Sequence, residues 1–199
     1  MGSGRRVRGV APLRSVPLLA VVALAWAAAA WGEDGARYRR TVARYEVPDV
    51  ALMNQDGARV RLPQALAADK PVLLDFFFST CTTVCPVLSA SFSTLLKTLG
   101  PQAREVRVVS IAIDPDHDTP EVLRGYREKF QAGPEWELLT GSREDIERVR
   151  RAFDAYSPNK VTHSPLSFLR PPGGDSWVRI DGLIGASDLM AEYRGLRRP

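Results

Sequence analysis

Cysteine and histidine are scarce in this chain, with two of each in 199 residues. With no third cysteine, a closed four-ligand structural zinc site is not expected. Internal repeats are absent, and so is any low-complexity stretch beyond one alanine-rich run. A strongly basic domain is absent too, despite a formal net charge of +4. Arg5, Arg6, Arg8 and Arg14 carry that excess, and residues 1–32 hold no acid; the remaining 23 Lys and Arg are matched by 23 Asp and Glu. The balance argues against a nucleic acid or other polyanion as partner. What is present, at 45% hydrophobic residues, suffices for one domain with a real core.

No apolar run reaches the 20 or so residues of a typical membrane span. The longest, "VPLLAVVALAWAAAAW", covers residues 16–31, follows the arginines and precedes the polar "GEDGARYRR". This is the pattern of an export signal. Ala30 and Gly32 are the small residues expected at positions −3 and −1 of a cleavage site before Glu33. Residues 1–32 are therefore read as a signal peptide or a retained N-terminal signal anchor. No cysteine lies near the junction to take a lipid. The domain is expected in the periplasm, free or held at the inner membrane through residues 16–31, where disulfides persist.

Residues 33–46 read as a linker and 47–199 as the folded domain. In "YEVPDVALMNQDGARVRL", Asp56-Gly57 supplies a turn between two short alternating stretches, so an N-terminal hairpin is expected. "PVLLDFFF" has the continuous apolarity of a strand covered on both faces. Leu88, Phe92, Leu95, Leu96 and Leu99 then form a helical stripe that Thr83 would cap, with Pro86 in the first turn and Gly100 at the end. "EVRVVSIAID", "WELLTG", "PLSFLR" and "SWVRID" read as strands. "DTPEVLRGYREKF", "SREDIERVRRAFDAY" and "ASDLMAEYRGL" read as helices, the first two capped by Thr119 and Ser142. The alternation predicts an α/β fold, a central mixed sheet flanked by helices, compatible with a thioredoxin-like arrangement.

Cys81 and Cys85 stand at the junction of the apolar strand and the striped helix. The positive end of the helix dipole favours thiolates there. Residues four apart on a helix have Cβ atoms about 5–6 Å apart, and a disulfide needs about 3.5–4.5 Å. Two sulfurs around one metal ion tolerate that spacing better, although a disulfide stays accessible. A staple across so short a loop would gain little entropy. His163 lies in "YSPNKVTHSPLSFL", a loop running into a strand, where ligand crevices of open α/β sheets form. His117 lies in "DPDHDTPE", a turn that explains it without a ligand role.

In order and spacing, "DFFFSTCTTVCPVLS", "SIAIDPDHDTPEVLRGYREKF", "WELLTGS" and "HSPLSFL" resemble the Sco/SenC family of thioredoxin-like copper proteins, from about Val47 to Leu169. The resemblance implies that Cys81, Cys85 and His163 bind copper, as Cu(I) or Cu(II), and that the two cysteines form a redox pair. It implies a metallochaperone that delivers copper to the dinuclear copper site of cytochrome c oxidase, reduces that site's cysteines, or does both. The partner would be the oxidase copper-site subunit or another copper chaperone. Thr82 stands where the family usually has proline, and Thr162 where an acid often precedes the histidine. The thioredoxin-like resemblance also predicts a cis Ser164–Pro165 bond. Three rival readings remain: a metal-independent thiol-disulfide oxidoreductase; a peroxidase suggested by "TTVCP" that lacks the upstream proline, Phe78 standing there; and a non-catalytic binding module that would tolerate serine at both cysteine positions.

Overall fold

The computed structural model describes residues 1–2 and 38–196. The segment expected to be an export signal otherwise lies outside the described residues. No described helix is long and apolar enough to cross a membrane.

Eight strands form one sheet in the order β1-β8-β7-β4-β5-β6-β2-β3. The strands are β1 (Tyr38–Arg44), β2 (Ala51–Asn54), β3 (Arg59–Arg61), β4 (Val72–Phe77), β5 (Arg107–Ala112), β6 (Trp136–Thr140), β7 (Leu166–Arg170) and β8 (Ser176–Gly182). The helices are α1 (Leu62–Ala65), α2 (Val84–Leu99), α3 (Pro120–Lys129), α4 (Arg143–Ala152) and α5 (Ala186–Leu196). β4, β5 and β6 run parallel, while β7 lies antiparallel against β4. The sheet is therefore mixed, as expected.

Every residue of β4 is buried, and its neighbouring phenylalanines point to opposite faces. Phe77 meets Tyr126 of α3 with ring centroids 4.7 Å apart. Phe76 meets Phe153, just past α4, at 6.2 Å. Helical segments thus cover both faces of the sheet. The expected hairpin is β2–β3. Its turn is closed by Asn54, whose side-chain oxygen accepts from the amides of Asp56 and Ala58 at 3.0 and 2.9 Å. Gly57 holds φ at 79°, a conformation that favours glycine.

The stretch expected to be a linker contains β1, which pairs with β8 along seven residues. β1 is an edge strand and most of its residues are exposed, Val42 to 60%. Backbone bonds to β8 hold it, together with the ion pairs Arg39–Asp181, Arg40–Glu192 and Arg44–Asp175. Such a strand leaves no buried face for hydrophobic alternation to reveal. The expected cis bond is a second correction. No cis peptide occurs among the described residues, so Ser164–Pro165 is trans.

Candidate metal centre

Strand pairing brings the two halves of the site together. β7 runs antiparallel to β4 with Ser167 opposite Asp75. The residues entering β7, including His163, therefore adjoin those leaving β4, including Phe78 and Cys81. The rings of Phe78 and His163 meet edge-on at 6.0 Å.

The loop after β4 is held from below by Asp118, which is fully buried. Its carboxylate accepts from the Ser79 amide at 3.2 and 3.3 Å and from the Ser79 hydroxyl. The Cys81 amide then donates to the Phe78 carbonyl at 3.1 Å, completing a turn that presents a half-buried Cys81. The sequence revealed Asp118 only as part of a turn. Its exclusion from water follows from the packing of the β5–α3 loop beneath Ser79.

Thr83 occupies the N-cap of α2 as expected, but its hydroxyl makes no capping bond. Cys81 takes that role, its Sγ accepting from the Cys85 amide at 3.4 Å, with the Thr83 hydroxyl 3.8 Å away. Burial pushes the Cys81 thiol up, but hydrogen bonds from the Cys85 thiol and amide and from Thr83 outweigh it and bring its pKa down to about 7. Cys85, in the first turn of α2, is only 2% exposed. Burial and the neighbouring Cys81 both push its thiol well above the ordinary range. The helix dipole is expected to favour thiolates at this junction; in the metal-free protein only Cys81 is so favoured. One proton is lost near neutral pH; the second stays on Cys85, chiefly because burial disfavours its anion and in lesser part because the Cys81 anion would repel it.

His163 is buried, and its Nε2 lies 3.9 Å from the Cys85 sulfur. Burial, aided by the charge of Arg150, lowers its pKa to about 4, so the imidazole is neutral at pH 7. Its loop is pinned at both sides. Lys160 forms an ion pair with Asp114, and Arg150 Nη2 donates to the Ser157 carbonyl at 2.9 Å. The two cysteines are free thiols. Among the described residues no three His, Cys, Asp or Glu side chains are already gathered around a metal-sized position. Cys85 is the hinge of the set, touching His163 through its sulfur and Cys81 through its amide. His117 is exposed in its turn, its amide bonded to the Asp114 carbonyl at 3.0 Å, as the sequence implied.

Asp75 is a further buried group, and the only charged residue in β4. Its Oδ1 accepts from the Ser110 hydroxyl, which in turn accepts from Trp136 Nε1 at 2.9 Å, while Oδ2 has no partner. Burial raises its pKa to about 7.

The SCO1/SenC family signature matches residues 40–194, most of the chain. The chain belongs to the SCO1/SenC family. Among its relatives, the SCO1 protein homolog of Bacillus subtilis (strain 168) is 30% identical over 75% of this chain and 82% of its own length. The solved structure of BsSco, described as a member of the Sco family of cytochrome c oxidase assembly proteins with a disulfide switch, superposes with a TM-score of 0.65. Identity there is 27%, over 78% of this chain and 95% of that one. Bradyrhizobium japonicum ScoI with copper bound superposes with a TM-score of 0.61 at 26% identity, over 77% of this chain and 98% of that one. The SCO1/SenC chain accordingly has the thioredoxin-like fold that its sequence implied.

Proposed function

We propose that this SCO1/SenC domain is a copper-binding assembly factor for a respiratory cytochrome c oxidase. In this reading Cys81, Cys85 and His163 hold one copper ion. The protein then passes that ion to the dinuclear copper site of the oxidase, reduces that site's cysteines, or does both. The observation that carries the reading is the 3.9 Å approach of His163 Nε2 to the Cys85 sulfur at the turn capped by Cys81. The copper-bound ScoI structure and the assembly role stated for BsSco support it from the side of the relatives.

The donor set fits the cargo. Soft thiolates select Cu(I), and imidazole also suits Cu(II), so two sulfurs and one nitrogen serve either state. Cys81 offers an anion at neutral pH, and His163 is already neutral. Cys85 gives up a whole proton and Cys81 the fraction it still holds, so loading near pH 7.5 releases slightly more than one proton. Competitive titration against a chelator tests the assignment. Cys81→Ser and Cys85→Ser weaken Cu(I) binding severely, and His163→Ala weakens Cu(II) more than Cu(I). Wild-type affinity in a Cys81→Ser/Cys85→Ser double variant would place the site elsewhere.

One observation favours a second reading, a metal-independent thiol-disulfide oxidoreductase. A half-buried Cys81 near half-ionisation beside a protonated Cys85 is suited to attack a partner disulfide. The Cys81 sulfur bonds to one partner sulfur and expels the other as a thiolate. Cys85 then loses its proton and displaces the first, leaving a Cys81–Cys85 disulfide. The partner gains two electrons; the Cys85 proton goes to one of its thiolates, and solvent protonates the other with the proton that Cys81 gave up on ionising. A wild-type protein that binds no copper but cycles this disulfide would decide for that reading. Export through residues 1–32 belongs to either reading. N-terminal sequencing of exported material should begin near Glu33 if the signal is cleaved.

A further inference from the structure

Arg150 of α4 is 6% exposed, yet no carboxylate stands within ion-pairing distance of it among the described residues. The nearby acids are engaged elsewhere. Asp114 pairs with Lys160, Asp116 with Arg143, and Glu147 with Arg151. Arg150 Nη2 reaches the Ser157 carbonyl, while Nε is buried without a partner. The guanidinium also lies 5.2 Å from the centre of the Tyr156 ring. Buried charges in folded proteins are as a rule paired, because an uncompensated ion away from water is costly.

This cation lines a cavity of about 510 Å³ between α4, the end of β5 and the loop that leads to His163. Its charged wall is made by Arg143, Arg150 and Lys160 against Asp114 and Glu147, leaving one positive charge in excess. The Ser157 and Asn159 segment and Tyr156 form the opposite side. The space is ample for a small organic acid or for one acidic side chain, and too small for a large cofactor.

We propose that this cavity is a carboxylate-binding site whose anchoring charge is Arg150. Guanidinium and carboxylate match in geometry, and the contact is charge-assisted at a cation that is itself almost wholly buried. An occupant would join α4 to the loop that carries His163. Two sources offer the chemistry: a free small dicarboxylate, or an aspartate or glutamate of a docking protein.

The test uses the reduced, metal-free protein and follows the Arg150 Nε–Hε resonance by NMR. Succinate is titrated at constant ionic strength, and in parallel an Asp- and Glu-rich heptapeptide with blocked ends. Saturable movement with succinate identifies a small-molecule site. Saturable movement with the peptide alone identifies a site for a partner's side chain. In either case Arg150→Gln should weaken binding, measured on neighbouring amides, by about tenfold or more, the equivalent of one charged hydrogen bond. Glu147→Gln leaves Arg150 in place and removes a repelling charge from the wall. It should tighten binding severalfold and keeps the test informative if Arg150→Gln fails to fold. No saturable shift with either probe, or an affinity unchanged in Glu147→Gln, overturns the proposal.

Discussion

The sulfur of Cys81 accepts the amide hydrogen of Cys85 at 3.4 Å, so the first cysteine caps the helix whose first turn holds the second. The arrangement divides the pair by protonation. Cys81 draws on amide and hydroxyl donors that favour its anion, while Cys85 sits away from water and keeps its proton. Alkylation by iodoacetamide, followed site by site through mass spectrometry, should show Cys81 reacting with an inflection near pH 7. Cys85 should react only at far higher pH. In Cys85→Ser the Cys81 inflection should move, since one of its largest hydrogen-bond partners is changed. Equal reactivity of both thiols at pH 7 would contradict the assignment.

A second prediction concerns His163. Its pKa falls from 6.5 unfolded to about 4 folded, so the unfolded chain binds the extra proton between those values. The stability it contributes is therefore complete above pH 6.5 and lost as pH falls toward 4. By linkage the loss amounts to roughly 2–3 kcal/mol. Urea unfolding of wild type and His163→Ala from pH 4 to 7 should show that slope in the wild type and a flatter one in the variant. Parallel curves would mean a solvated imidazole.

Asp75 has the opposite sign. Its folded pKa of about 7 lies above the unfolded value of 3.8, so its favourable protonated state is complete below pH 4 and stability falls as pH rises toward 7. Asp75→Asn keeps the shape and an acceptor for the Ser110 hydroxyl while removing the charge. It should raise stability above pH 7 by roughly 4 kcal/mol and leave it little changed at pH 4. A loss of stability at pH 8 would show that the carboxylate has a partner in solution.

Asp118 holds the cysteine loop through the Ser79 amide and hydroxyl. Asp118→Ala should cost about 1–3 kcal/mol, as expected for buried donors left unpaired. It should also raise the pKa of Cys81, whose turn depends on that support. A lower melting temperature with an unaltered Cys81 alkylation profile would confine Asp118 to a role in stability.

The sequence disclosed the elements whose residues have a buried side. The β4 run, the α2 stripe, the Ser142 and Thr119 caps and the Asp56-Gly57 turn each carry a local signal, and each is found in the structure. β1 was not legible because its binding to β8 is made by backbone atoms and exposed arginines. Cys81 as the cap of α2 was hidden by the better-known capping chemistry of Thr83 beside it. The convergence of Cys85 and His163, 78 positions apart, came from family resemblance. The residues alone left His163 as one histidine among two. Asp75 went unmarked inside a run read as continuously apolar, and nothing local told that Ser110 and Trp136 would meet it.

The central claim is that Cys81, Cys85 and His163 share one copper ion. X-ray absorption at the copper edge, on protein loaded with one equivalent of Cu(I) and then oxidised, tests it most directly. Two sulfur scatterers and one imidazole nitrogen should surround the oxidised ion, and the nitrogen should vanish in His163→Ala while both sulfurs remain. An unchanged nitrogen shell in His163→Ala, or a wild-type site with fewer than two sulfurs, would contradict the account.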